Sequence, residues 1–202
     1  GGEFILKNSN KKKTIGEIAF ACYLPGTFGD VKSPLPEGVE PGLIETSFFD
    51  PSNFSFPSGT HICEAEVDEE TGETNVVKYT VVDDFGTIIN PLVVEGQVYG
   101  GVAQGVGQAL YENAHYDESG QLTSASYMDY TMPRADNFPQ IKIDYTCTPA
   151  TSNPLGAKGC GEAGTIAAPA AVMNAVIDAV GTDISMPATA EKVWKKIKSK
   201  LS

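Results

Sequence analysis

The run Leu155-Gly156-Ala157-Lys158-Gly159-Cys160-Gly161-Glu162-Ala163-Gly164-Thr165, continued without a break by mostly apolar residues to Val180, constrains this chain more than any other stretch. Glycines at 159, 161 and 164 open backbone conformations closed to other residues and let the chain approach a ligand closely. A helix starting at about Thr165 to Pro169 leaves unpaired N–H groups pointing back into the loop. Glu162 is thereby held where a ligand could reach it. Three readings fit. The glutamate can simply favour the positive end of the helix dipole. Gly159-x-Gly161-x-x-Gly164 matches a dinucleotide fingerprint, but that fingerprint should follow a strand directly. Here residues 141–147 are separated from it by Thr148 to Pro154 and more, and no βαβ unit with an acidic strand end follows. The third reading, a catalytic base beside a cofactor, needs a second feature elsewhere in the chain.

A helix expected over residues 91–112 supplies that feature. Asn90 is its N-cap and Pro91 its first residue. It contains Gly96, Gly100, Gly101, Gly105 and Gly107, each weakening a helix by roughly 1 kcal/mol relative to alanine, so something must compensate. At helical spacing Gln97, Gln104 and Gln108 fall on one line with Gly101 beside them, while Val98, Val102 and Val106 share a different face. Two explanations are equally open: a polar ligand approaches an amide-bearing, nearly bare face, or a second helix packs there through small residues.

The rest of the chain reads as alternating short elements. Residues 4–7 can form a strand, and Thr14-Ile15-Gly16-Glu17 is a capping box that opens a helix. Residues 24–60 are rich in Pro, Gly and Phe and predict a long, mostly irregular excursion; Phe28, Phe48, Phe49, Phe54 and Phe56 there need a surface to cover. A β-hairpin follows over residues 61–67 and 76–82, then the helix over 91–112, strands at 121–127 and 141–147, a buried helix to about Val180, and a last helix from about Thr189. Val193, Trp194, Ile197 and Leu201 give that last helix one apolar face. The expected fold is α+β, a mixed, largely antiparallel sheet packed against buried helices.

With 202 residues and 41% apolar content the chain can build a proper core as one large domain or two small ones. Its net charge of −12 argues against nucleic acid as a partner and offers an anionic membrane nothing to attract. The cysteines at 22, 63, 147 and 160 form no C-x-x-C pair, so neither a zinc ribbon nor an iron–sulfur site is expected, and a reducing, cytoplasmic setting is the simplest inference. Phe4-Ile5-Leu6 is too short for a signal peptide, and no stretch reaches the ~18 uninterrupted apolar residues of a membrane span. An opening Gly-Gly-Glu in place of Met suggests a trimmed tag, a processed product or a fragment. His61 and His115 form no metal motif, Ser58-Gly59-Thr60-His61 lacks a nucleophile elbow, and His61 reads as structural or pocket-lining.

Gln97-Val98-Tyr99-Gly100-Gly101-Val102-Ala103-Gln104-Gly105 and Lys158-Gly159-Cys160-Gly161-Glu162 together strongly resemble the molybdenum hydroxylase family, which includes xanthine dehydrogenase, aldehyde oxidoreductase and the carbon monoxide dehydrogenase large chain. The likeness runs from about Phe4 to Lys200. Phe56-Pro57-Ser58-Gly59-Thr60-His61-Ile62 and Val82-Asp83-Asp84-Phe85-Gly86-Thr87-Ile88-Ile89-Asn90-Pro91 are most similar to the carbon monoxide dehydrogenase branch. The resemblance implies a C-terminal molybdopterin-binding domain fragment over residues 1–202. It implies Glu162 as general base toward a water or hydroxyl at the molybdenum, and Gln97 reaching the molybdenum ligands or the pterin. Gly100, Gly101 and Gln104 would line the cofactor, Lys158, Gly159, Cys160 and Gly161 would form the loop around it, and no residue is implied as a metal ligand. The implied cofactor is molybdopterin, with a cytosine dinucleotide form as one option. The implied partners are the preceding part of the molybdenum subunit, iron–sulfur and FAD subunits or domains, and a small-molecule substrate. Family molybdenum subunits are several times longer, so this chain alone should hold neither the cofactor nor a complete active site. A non-catalytic assembly module using the Phe48 to Phe56 segment, and nucleotide binding at Gly159 to Gly164, are the alternatives.

Overall fold

A computed structural model describes residues 2–23, 26–28, 31–33 and 40–201. The chain divides into two compact units, Gly1–Asp50 and Pro51–Ser202. In the first, β1 (Glu3–Ile5) and β2 (Lys12–Thr14) pair antiparallel. The expected capping box then starts α1 (Ile15–Tyr23): Glu17 Oε2 accepts from Thr14 N at 2.8 Å, and Thr14 Oγ1 accepts from Glu17 N at 3.2 Å. Within the expected excursion, β3 (Gly26–Phe28) and β4 (Val31–Ser33) form an antiparallel pair and residues 40–57 are irregular. Residues 24–25, 29–30 and 34–39 and the side chain of Phe28 lie outside the described residues. Phe48, Phe49, Phe54 and Phe56 are all exposed, Phe48 to 94%.

The second unit is built on a three-stranded sheet. β5 (Ser58–Val67) and β6 (Thr74–Asp84) form the expected hairpin, and β7 (Ile141–Thr146) adds parallel to β6, giving the order β5-β6-β7. The register shifts between Glu64 and Ala65, whose partners are Lys78 and Val76, so Val77 is the extra residue of a bulge. That one residue explains why the buried side of β6 runs Thr74, Val76 and then Tyr79, Val81, Asp83. α2 (Pro91–Val106) is capped by Asn90, whose Oδ1 accepts from Val93 N, and ends in a π-helical turn over Gly107–Tyr111. α3 (Ala163–Val180) packs against both α2 and β5. Val98, Val102, Val106, Val172, Val176 and Val193 are fully buried with Tyr79, Val81 and Phe85, making a mixed α and β core of the expected class.

Three expectations change. Residues 121–127 form no strand; only Leu122 bridges, to Tyr116. The segment meets residues 115–117 in a short turn, Thr123 N donating to His115 O and Asp117 N to Gln121 O, and side-chain oxygens supply further bonds around it. Asp117 Oδ1 accepts from Gln121 N, Ser124 Oγ accepts from His115 N, and Ser126 Oγ accepts from Met128 N. α3 is buried on one side only: Ala168, Val172, Met173 and Val176 are buried, while Ile166 stands 69% exposed. It is also long and apolar enough to cross a membrane by length and composition, although its buried residues Ala168, Val172, Met173 and Val176 belong to the core. α4 (Ala190–Leu201) buries Val193, half-buries Ile197 and leaves Trp194 partly exposed. The side chain of Leu201 lies outside the described residues. Lys200 Nζ donates to the carbonyls of Val180 and Gly181 at 2.7 Å, capping the negative end of α3.

Candidate functional site

Strand β6 ends where the site begins. Asp84 closes it, Gly86 turns the chain with φ +60°, and Asn90 starts α2. The loop between β7 and α3 folds back against this corner. Lys158 N donates to the Phe85 carbonyl at 2.9 Å, Thr87 N donates to that of Gly156 at 3.0 Å, and Gly86 bridges Ala157. Asn153 braces the loop from within, its Nδ2 donating to Ala157 O at 2.8 Å. A sixteen-residue segment without helix or strand, residues 147–162, is therefore held by main-chain bonds where it approaches α2.

Its last residues meet the amide face of α2. Gln97 Nε2 donates to the Gly161 carbonyl at 2.6 Å, across 64 residues of sequence. Glu162 follows as the residue preceding α3, and its carbonyl accepts from Thr165 N and Ile166 N at 3.0 Å. Its side chain is exposed and caps no N–H group. A Cβ placed on Gly100 or Gly161 would meet nothing within 4 Å, so bare backbone faces open space beside the carboxylate's segment and on the same helix as Gln97. Gln104 is exposed on α2 and Gln108 on the π-helical turn that follows it. A Cβ on Gly159 would reach only ordinary contact with the Ser55 carbonyl, and Cys160 is a free, half-buried thiol packed on the core.

Of the two explanations offered for the glycine-rich helix, close packing of a second helix is what the structure shows at two of its glycines. Gly101 and Gly105 form the helix contact: a Cβ on Gly101 would lie 2.8 Å from Gly164 Cα, and one on Gly105 would lie 2.9 Å from Pro169 Cδ. Gly101 is thus buried between helices, while Gly100, Gln97 and Gln104 keep an open face. A groove of about 570 Å³ continues from Tyr99, Gly100 and Ala103 toward Arg134 and Phe138.

Lys158 does not point into open space. Its Nζ lies 3.1 Å from Asp84 Oδ1, with the two side chains 14% and 8% exposed. Gly86 N donates to the same carboxylate oxygen at 2.8 Å, and the Thr148 hydroxyl and main chain also donate. These bonds, led by the Thr148 hydroxyl, hold the Asp84 carboxyl well below the usual carboxylate range. Asp84 and Thr148 were not singled out from sequence; the one signal was the acidic pair Asp83-Asp84 ahead of Phe85-Gly86. Neighbouring His61 is structural, as expected. Its Nδ1 pairs with Tyr79 Oη at 3.0 Å and its Nε2 lies 3.5 Å from Asp83 Oδ1, with both His61 and Asp83 side chains 2% exposed.

Comparison with known proteins adds a lineage to this geometry. A family profile described as the molybdopterin cofactor-binding domain matches residues 1–139. The carbon monoxide dehydrogenase large chain of Hydrogenophaga pseudoflava is 37% identical over 195 residues, which is 95% of this chain and 23% of that one. The nicotine 6-hydroxylase large subunit of Paenarthrobacter nicotinovorans is 40% identical over 198 residues, 96% of this chain and 24% of that one. Among solved structures, carbon monoxide dehydrogenase from Oligotropha carboxidovorans superposes with a TM-score of 0.85 at 36% identity, covering 98% of this chain and 24% of its own. This chain spans about a quarter of the length of the relatives it matches.

Proposed function

The chain belongs to the molybdopterin cofactor-binding family, among the molybdenum hydroxylases and on the carbon monoxide dehydrogenase large-chain branch, and we propose that it supplies the general base and one wall of the cofactor site to a larger oxidoreductase. The observation that carries this reading is the Gln97–Gly161 hydrogen bond, which joins the amide face of α2 to the loop that delivers Glu162. The residues fit a large, polar, metal-bearing group. Gly100 and Gly161 give backbone that such a group can approach closely, and the Glu162 carboxylate is an acceptor that caps no N–H group of α3.

When bound, molybdopterin contributes a Lewis-acidic, redox-active molybdenum. The chain's own residues do the rest. Glu162 takes a proton at a carboxylate oxygen. Gln97, with one amide hydrogen on Gly161, keeps its carbonyl for the cofactor, and Gln104 offers a second amide. Gly159, Cys160 and Gly161 form the loop around the group, with Lys158 anchoring it; Gly100 keeps the helix face thin, while Gly101, expected to line the cofactor, is buried against Gly164. The wider enzyme would add the preceding part of the molybdenum subunit and iron–sulfur and FAD subunits or domains, and would act on a small molecule. Four free cysteines suit a cytoplasmic home.

Glu162→Gln in the intact enzyme tests the base. Turnover should fall by about 10²–10⁴-fold with molybdenum content unchanged. Near-normal turnover at full molybdenum loading removes Glu162 from that role. A second reading, an assembly module, rests on the exposed Phe48 and Phe54; recovery from the native host with partners other than a molybdenum-containing chain would favour it.

A further inference from the structure

We infer that Asp84 and Lys158 are a positioning pair, a buried strut that sets where Glu162 stands; this rests on Glu162 being the base. Lys158 lies four residues before Glu162 in a loop with no helix or strand of its own, so something must fix the loop in space. Asp84 is the point where three segments converge. It belongs to the end of β6, its Oδ1 takes Gly86 N from the turn into α2, the same oxygen takes Lys158 Nζ from the glycine loop, and the carboxylate binds Thr148 at the exit from β7. The main-chain bonds Lys158 N to Phe85 O and Thr87 N to Gly156 O run beside it and leave the loop in register with the corner.

A surface ion pair would carry little weight, but this one is largely removed from water, so removing either partner leaves the other charge buried and unpaired beside the loop. Beyond Lys158 the loop is held by Cys160 packing on the core, by Gln97 on Gly161 and by the first turn of α3. The strut and Gln97 thus hold the approach to the glutamate at Lys158 and Gly161, and the first turn of α3 holds its downstream side. Neither Asp84 nor Lys158 needs to touch the reacting atoms. A shift of about 1 Å in a catalytic group can cost on the order of 100-fold in rate, so an anchor of this kind should show in kcat and not in binding.

The test uses the intact enzyme carrying Lys158→Met, Lys158→Arg, Asp84→Asn or Glu162→Gln. Four quantities are read: kcat and KM separately, molybdenum content by metal analysis, and hydrogen exchange of amides 156–162. Lys158→Met and Asp84→Asn should lower kcat by roughly 10- to 100-fold with KM within about twofold and molybdenum content unchanged. Exchange should rise in residues 156–162 and not in β5 or α4, and Lys158→Arg should recover part of kcat. Wild-type kcat in Lys158→Met, or faster exchange spread over the whole domain, overturns the strut. If Glu162→Gln is itself near-normal, the base assignment fails and with it the purpose of the strut. Local exchange in the Lys158 and Asp84 variants then tells that failure apart from failure of the anchor.

Discussion

Gly101 and Gly164 meet with no side chain between them, each lying where a Cβ on the other would have to go, at 2.8 and 3.0 Å from the opposing Cα. Since the obstacle is backbone, it cannot swing aside. Gly101→Ala should therefore destabilise by about 1–3 kcal/mol through overpacking, against a helix-propensity gain of about 1 kcal/mol. Its neighbour Gly100 faces open space, so Gly100→Ala should not lower, and can slightly raise, the thermal midpoint. The same Gly100→Ala should reduce molybdenum content in the intact enzyme if that bare face meets the cofactor. Thermal unfolding and metal analysis on both variants separate the packing glycine from the lining one, and unchanged molybdenum in Gly100→Ala takes Gly100 out of the wall.

Gln97 should matter more for catalysis than for folding. It is exposed, and a single neutral hydrogen bond is worth about 0.5–1.5 kcal/mol net, so Gln97→Ala should shift stability by no more than the low end of that range. Gln97→Glu is the harsher change although it is smaller in shape. It sets a carboxylate against the Gly161 carbonyl, two acceptors with no proton between them, and adds a negative charge beside the Glu162 segment. The expected order of kcat/KM is wild type, then Gln97→Ala, then Gln97→Glu, with the last down by at least about 10-fold. An active Gln97→Glu enzyme would sink the idea that the amide's donor end is needed.

What the sequence disclosed was local. Thr14 with Glu17, Asn90 with Pro91, the hairpin of β5 and β6, and the G-x-G-E loop ahead of α3 all rest on neighbours within a few residues, and each stands as read. Periodicity also put Gln97, Gln104 and Val98 on their correct faces. It could not part Gly100 from Gly101, because glycine leaves no side chain whose polarity marks a face. The strand expected at 121–127 failed for a related reason: apolar–polar alternation says that a segment can pair, and only a neighbour decides that it does. The Asp84–Lys158 contact, 74 residues apart, carries no spacing signal at all. Two ordinary charges became legible only when the fold brought them out of water together.

Asp84 gives a pH signature with a definite sign. Its folded-state pKa is depressed, first by the Thr148 hydroxyl and then by Gly86 N and Lys158, from a reference value of 3.8. A depressed acid contributes stability that is fully present above the unfolded-state value and is lost as pH falls below it. Acid unfolding of wild type and Asp84→Asn should therefore differ by a constant gap from pH 5 to 8. That gap should narrow below about pH 4 as the aspartate of the unfolded chain takes up its proton while the folded one stays ionised. The check is circular dichroism across pH 2 to 8; a gap that persists undiminished at pH 2 to 3 excludes Asp84 as the source.

Thiol chemistry offers a probe that needs no turnover. Burial pushes the Cys63 thiol up from 9.0 to about 11, with Glu64 adding to the shift, whereas Cys147 is exposed at the start of the loop. The thiolate is the reactive form, so at pH 8 a thiol with that pKa has only about one part in a thousand available, and the sheet also shields it. Cys63 on β5 should be alkylated at least about 100-fold more slowly in the folded enzyme than in denaturant, as followed by mass spectrometry of its peptide. Because its folded pKa is raised, its contribution to stability is complete below pH 9 and declines as pH climbs toward 11. Labelling of Cys63 should accordingly accelerate more steeply with alkaline pH than one proton's worth of thiolate allows, as the hairpin itself loosens. A folded-state rate for Cys63 equal to its rate in denaturant would mean that β5 and β6 do not bury it in the assembled enzyme.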